Sequence, residues 1–187
     1  MNIDRLRVAV LVAVLLPNLA FAQPGGLAEP DVRALVGSLP QGPEFRSDRQ
    51  VYRPVAELRA YPRGAGSGDI VTYKGPYVIV RAGSTARSGA TAAEPGVTAG
   101  SVVVNVRTGQ LGIADGTITA KLSDVGAAEA LAAANGLTVE FVAGAIGHAF
   151  FTAPPGRDLA AAATALAKDP RVKSAYPGVR ESFAVPN

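Results

Sequence analysis

The side chains able to do chemistry are few and far apart. His148, in the run GHAFFTAP, is the only histidine, and the chain has no cysteine. A histidine base needs a nucleophile on a suitable turn and an acid to orient it. No Gly-x-Ser-x-Gly elbow occurs, and the glycine-flanked Ser67 stands in a spacer-like stretch. One histidine without cysteine rules out a zinc site built from His and Cys. The carboxylates Asp115, Asp124, Glu129, Glu140, Asp158, Asp169 and Glu181 are scattered, and two of them stand where helix caps are expected. Nothing marks a close acid pair of the kind glycoside hydrolysis uses. Gly64, Gly66 and Gly68 lack the preceding strand and following helix of a dinucleotide loop. His148 alternates with Phe150 and Thr152, which puts the three on one strand face as ordinary surface. The expectation is a protein without catalytic residues, cofactor or metal, acting through contact.

The elements that would carry such contacts are clearest in residues 111–187. Strand-like and helical runs alternate there: Gly112–Leu122, Asp124–Asn135, Leu137–Ile146, His148–Ala153, Asp158–Lys168 and Arg171–Tyr176. The order strand, helix, strand, strand, helix, strand is the split βαβ signature. It predicts an α+β, ferredoxin-like βαββαβ antiparallel sheet with two helices on one face. Ser123 or Asp124 caps the first helix, Asn135-Gly136 ends it, and Asp158 opens the second before Asp169-Pro170 stops it. Val125, Ala128, Leu131 and Ala132 form one buried stripe, and Leu159, Ala162, Ala163 and Leu166 the other.

Upstream, Gln23–Gly68 is rich in Pro, Gly, Arg and Ala and reads as a partly disordered leader. It holds one helix at Glu29–Leu39, with Pro30 in the first turn and Val32, Leu35, Val36 and Leu39 on one face. Arg46, Arg49, Arg53, Arg59 and Arg63 make this leader basic, and Tyr61–Gly68 reads as a linker. Residues 69–110 are expected to add β-hairpins to the core. Asp69–Gly83 forms the first, turning at Lys74-Gly75-Pro76, and Ser101–Leu122 the second. A mobile loop is expected at 84–100. Tyr77–Val80 and Val102–Val106 are expected to pair in one added sheet, giving the fold an additional N-terminal β-hairpin region.

The first 22 residues predict export. Arg5 and Arg7 precede the apolar run Val8–Leu16, Pro17 and Asn18 break it, and Ala20-Phe21-Ala22 offers small residues for cleavage after Ala22. The run is short of the ~18 apolar residues that cross a bilayer, and no other segment approaches that length. The expected location is the periplasm or the exterior, with no membrane span. Net charge is +3, falling to +2 once Asp4, Arg5 and Arg7 leave with the leader. That is too weak a footprint for nucleic acid. Without disulfides the fold depends on burial alone.

The stretch from Gly116 to Pro177 (GTITAKLSDVGAAEALAAANGLTVEFVAGAIGHAFFTAPPGRDLAAAATALAKDPRVKSAYP) resembles the propeptide-like, inhibitor-type domain of subtilisin-family serine proteases. The close Leu166-Ala167-Lys168-Asp169-Pro170-Arg171-Val172-Lys173-Ser174-Ala175-Tyr176-Pro177 carries much of the resemblance. Tyr176 replaces the acidic residue usual there, and no catalytic domain follows Asn187 in this sequence. The chain is also similar to small secreted bacterial proteins with a Thr-Gly-Gln-Leu-Gly run, here Thr108–Gly112. The resemblance implies a ferredoxin-like unit that chaperones a protease and inhibits it by laying its C-terminal tail in the active-site cleft. Carried over, the protein-binding tail is Glu181, Ser182, Phe183, Ala184, Val185, Pro186 and Asn187. Extended, it could add main-chain hydrogen bonds to a protease edge strand; the other reading ends the core at Pro177-Gly178 and has the remaining tail pair with its own sheet or fray. The leading expectation is an exported, stand-alone inhibitor or folding chaperone whose partner is a subtilisin-type serine protease. The alternative is an envelope-associated structural or interaction protein with a non-protease partner.

Overall fold

Pro30 sits in the first turn of helix α1 (Glu29–Ser38), where its missing amide hydrogen costs nothing. Val32 and Val36 are buried, with Leu35 and Leu39 packed beside them, as the stripe predicts. The computed structural model describes residues 26–65, 68–81 and 96–183. The expected leader peptide at 1–22 therefore lies outside the described residues, as do positions 84–95 of the expected loop.

Within the expected leader, residues 45–62 are strand and tight turn rather than floppy chain. Strands β1 (Phe45–Ser47) and β2 (Gln50–Pro62) form a hairpin there, with Ser47 opposite Gln50. Its tight turn carries Asp48 at φ 52, a left-handed position that Asp tolerates better than most residues. Three of the five arginines named in that leader are engaged too. Arg53 pairs with Glu44 at 2.6 Å, Arg59 donates to the buried Ser101 hydroxyl at 2.9 Å, and Arg63 lies 5.2 Å from the centre of the Tyr73 ring.

Strands β3 (Ile70–Lys74) and β4 (Tyr77–Arg81) form the hairpin predicted around Gly75, and β5 (Ser101–Asn105) follows. β4 and β5 do not pair with each other, contrary to expectation. β2 lies between them, antiparallel to both. The end of the expected loop is also held in place. Val97 is buried, its carbonyl accepts from Leu159 at 2.7 Å, and Gly100 donates to Ala114 at 2.8 Å.

β6 (Leu111–Leu122) leads through a 3-10 turn to α2 (Ala128–Asn135), and β7 (Thr138–Ala143) and β8 (His148–Thr152) come next. Helix α3 (Leu159–Leu166) then returns the chain to β9 (Val172–Arg180). The expected strand Leu137–Ile146 is shorter than read, because Gly144–Ile146 forms a 3-10 turn. The caps are those of the sequence: Asp124 accepts from Gly126, Gly136 is left-handed at φ 63, and Asp158 accepts from Ala160 and Ala161.

All nine strands join one antiparallel sheet. Its path is β3-β4-β2-β5-β6-β8-β7, with β1 on β2 and β9 on β6. The fold is thus mixed α/β, with one large antiparallel sheet and three α-helices among the described residues. β6 makes it continuous. Leu111–Ile113 pair with β5, Thr117–Lys121 pair with β8, and β9 runs along its other edge. Two cores result. Ile118, Ala120, Ala149 and Phe151 pack under Leu131, Ala132, Leu159, Ala163 and Leu166 of α2 and α3. Val55, Leu58, Ile79, Val102 and Val104 pack with Val32 and Val36 of α1. β5 divides them, Val103 facing the first core while Val102 and Val104 face the second.

Candidate functional site

The strands that bury Ile118 and Ala120 under the helices turn Thr117 and Thr119 to the opposite side, because successive strand residues alternate. No α-helix among the described residues lines that side. It forms a groove of about 710 Å³ lined by Thr119, Phe141, Ile146, Phe150, Tyr176 and Val179 among others. Phe141 is 60% exposed and Ile146 61%. The Phe141 and Phe150 rings lie 6.0 Å apart, close to the geometry of an offset aromatic pair.

Local irregularities aim these side chains. A bulge between Val139 and Phe141 lets the neighbours Glu140 and Phe141 both face solvent, where strict alternation would expose only one. The 3-10 turn after β7 presents Ile146 beside them. Opposite, β9 continues through Pro177 and Gly178 to Arg180, so the expected end of the core near Pro177 is corrected. Pro177 is tolerated next to a register shift in the β6–β9 ladder, and its carbonyl accepts from Ser47 Oγ at 2.6 Å. Gly178 is demanded by close approach. A Cβ there would collide with Thr117 Oγ1 and Asp115 Oδ1.

The groove rim is mostly acidic. Asp48, Asp115 and Glu140 line it with a single cation, Arg180, whose Nε donates to Asp115 Oδ2 at 2.8 Å. Asp115 also accepts from the Thr117 amide and hydroxyl. Tyr176 stands where the resembled family has an acid. Burial first, and then the nearby Asp48 carboxylate, push its phenol above the usual value. His148 shares the sheet side of Phe150, and its Nδ1 lies 2.8 Å from the Ile146 carbonyl oxygen. No carboxylate or hydroxyl among the described residues is hydrogen-bonded to it.

Three other acids of the sequence have structural tasks. Asp124 and Asp158 cap helices, and Asp169 makes a two-pronged pair with Arg171 at 2.8 and 2.7 Å. That pairing holds the Asp169 carboxyl at about 2. Among the described residues no cluster of three His, Asp or Glu is placed to hold a metal.

Of the predicted tail, Glu181, Ser182 and Phe183 are described, whereas Ala184, Val185, Pro186 and Asn187 lie outside the described residues. The three lie folded against the N-terminal sheet. Glu181 Oε1 accepts from Asn105 Nδ2 at 2.7 Å, and Phe183 rests on Tyr77 with ring centres 5.5 Å apart. Sequence reading allowed the tail to return to its own sheet but named no seat for it, and it missed the aromatic groove. The signals available were an aromatic residue next to Glu140 in β7 and the His148-Phe150-Thr152 alternation.

The family described as "Open reading frame 2 N-terminal domain" matches residues 42–182. The chain belongs to the Open reading frame 2 N-terminal domain family. The matched region holds all nine strands, the groove, Glu181 and Ser182, and it leaves α1 outside. A chain from the crystal structure of the complex of Aeromonas sobria serine protease (ASP) and the chaperone ORF2 is similar at 27% identity. The likeness covers 49% of this chain and 87% of that one, with a TM-score of 0.40. No curated protein matches. For this Open reading frame 2 N-terminal domain, no helix among the described residues is long and apolar enough to cross a membrane.

Proposed function

We propose that this protein is an exported, non-enzymatic binding module that serves as folding chaperone or inhibitor of a secreted serine protease of the subtilisin type. One observation carries the reading: the helix-free side of the C-terminal sheet presents Phe141, Ile146, Phe150 and Tyr176 in one groove with an acidic rim. Exposed apolar surface rimmed by charge marks an interaction site more often than a catalytic one. Its complement is an apolar patch with a basic fringe. The family name supports the choice of partner, since the chaperone crystallised with the Aeromonas sobria protease is also called ORF2.

In this reading the groove grips the folded partner and the tail from Glu181 to Asn187 reaches into its active-site cleft. The C-terminal unit, 111–187, is then a ferredoxin-like domain. Its βαββαβ order and its pairing order β9-β6-β8-β7, antiparallel throughout, support that name. Export follows from the leader cut after Ala22, which N-terminal sequencing of the exported protein would check.

The deciding experiment refolds a denatured subtilisin-type protease, and separately inhibits the active one, with wild-type protein and with Phe141→Ser/Ile146→Ser. Wild type should speed refolding and inhibit. The double variant should lose at least tenfold in affinity, about 1.4 kcal/mol. Equal potency of the two proteins would remove the groove from the account. A wild-type protein inert toward a panel of such proteases would move the reading to a non-protease envelope partner.

A further inference from the structure

The C-terminal tail departs from β9 at a place the chain has built to hold it. Asn105, only 1% exposed, closes β5 with its side-chain oxygen accepting from the amides of Arg107 at 2.9 Å and Thr108 at 3.1 Å. That fixes its Nδ2, which donates to Gln50 Oε1 at 3.3 Å and to Glu181 Oε1 at 2.7 Å. The Tyr52 hydroxyl, on the neighbouring strand, feels the Glu181 carboxylate, which helps keep the phenol neutral. The half-buried Lys74 ammonium feels the same carboxylate, which offsets part of its desolvation. Two residues on, Phe183 packs its ring against Tyr77 and the β3–β4 turn. Gly75 in that turn has φ +56, and any Cβ there would overlap the Phe183 ring. The turn is thus shaped both in backbone and in side chain to admit Phe183.

We propose that Glu181 and Phe183 are a two-point latch that stows the tail against the N-terminal sheet, and that a partner taking up the tail must first unseat it. The proposal rests on the reading above, in which this tail enters a protease cleft. A ring seated on Tyr77 cannot also fill a protease pocket. Glu181 in turn would leave behind a buried amide and a phenol that folding has already desolvated. The apparent affinity of the tail is then its intrinsic affinity scaled by the fraction unlatched. Mutations that loosen the seat without altering the tail should strengthen binding.

Two such variants are available. Tyr77→Ala removes the platform under Phe183, and Tyr52→Phe removes only the hydroxyl that interacts with the Glu181 carboxylate. The first measurement uses the free protein: chymotrypsin nicking after Phe183, followed by mass spectrometry, with melting temperature as a check on the fold. Nicking should rise about tenfold in Tyr77→Ala and less in Tyr52→Phe. The second is inhibition of a subtilisin-type protease, which should tighten in the same order. Unchanged nicking in both folded variants would overturn the latch. Faster nicking with unchanged or weaker inhibition would mean that the seat aims the tail, and would overturn stowage. If nicking rises but neither variant nor wild type engages any protease, the latch stands and the protease reading falls.

Discussion

The two sides of the β6–β9 sheet are built from the same strands and could hardly differ more. Ile118, Ala120, Ala149 and Phe151 are fully buried beneath α2 and α3. Their neighbours on the other side, Thr117, Thr119 and Phe150, line an open groove in which Phe141 and Ile146 remain more than half exposed. Covering a side stabilises the fold. Leaving an aromatic side uncovered contributes little to folding and keeps surface available for a partner. The contrast teaches where to look for stability and where for function, and it can be tested by treating the two sides alike.

The largest effect belongs to the covered side. Leu166, with no exposed surface, lies between α3 and the sheet. Leu166→Ala should cost about 2–5 kcal/mol through lost burial and a cavity, read as a lower urea midpoint with unchanged slope. The opposite change, Ala162→Leu, adds volume where the helix lies close to the sheet and should cost about 1–3 kcal/mol. If either variant were neutral, the covered side would not be the packed core described. Asp158→Ala should cost about 1 kcal/mol, because it frees the Ala160 and Ala161 amides at the start of α3.

Much of that covered side was legible in the sequence, and the reason is local. Its helices carry capping residues, Asp124, Gly136 and Asp158, and its stripes obey a 3.6-residue period, so sequence pattern and burial agree. β2 defied the same reading because its buried residues Tyr52, Val55, Leu58 and Ala60 do not alternate; a register shift between Pro54 and Arg59 breaks the period. Missing β2 led in turn to the false pairing of β4 with β5. β9 outran its expected end because Pro177 and Gly178 read as breakers, whereas each fits a particular irregularity of the ladder. The groove was hidden for a different reason. It joins Asp48 in one turn, Asp115 in the centre of the chain and Tyr176 near its end, and only the topology brings them together.

A subtler effect is a slope with pH. Tyr52 belongs to the covered core by its ring and to the tail seat by its hydroxyl. Burial, then the Glu181 carboxylate, push the phenol up to about 12. Folding therefore favours the neutral form. This contribution is whole below pH 10 and disappears as pH rises through about 12. Tyr52→Phe cannot ionise, so its denaturation midpoint should fall less steeply than wild type across that window. Parallel curves for the two proteins would detach Tyr52 from the ionisation.

The smallest expected change in stability is also the most telling one for function. Ile146 is 61% exposed, on a short turn, and belongs to neither packed core. Replacing it with Ser removes apolar surface that water already touches, so stability should move by less than about 0.5 kcal/mol. The same substitution removes one wall of the groove, so any partner that uses this side should bind several-fold more weakly. A protein whose urea midpoint is unchanged while its affinity falls has an uncovered side shaped by something other than folding. If Ile146→Ser instead cost as much stability as a core substitution, the uncovered side would be part of the fold's own support. The contrast between the two sides would then collapse.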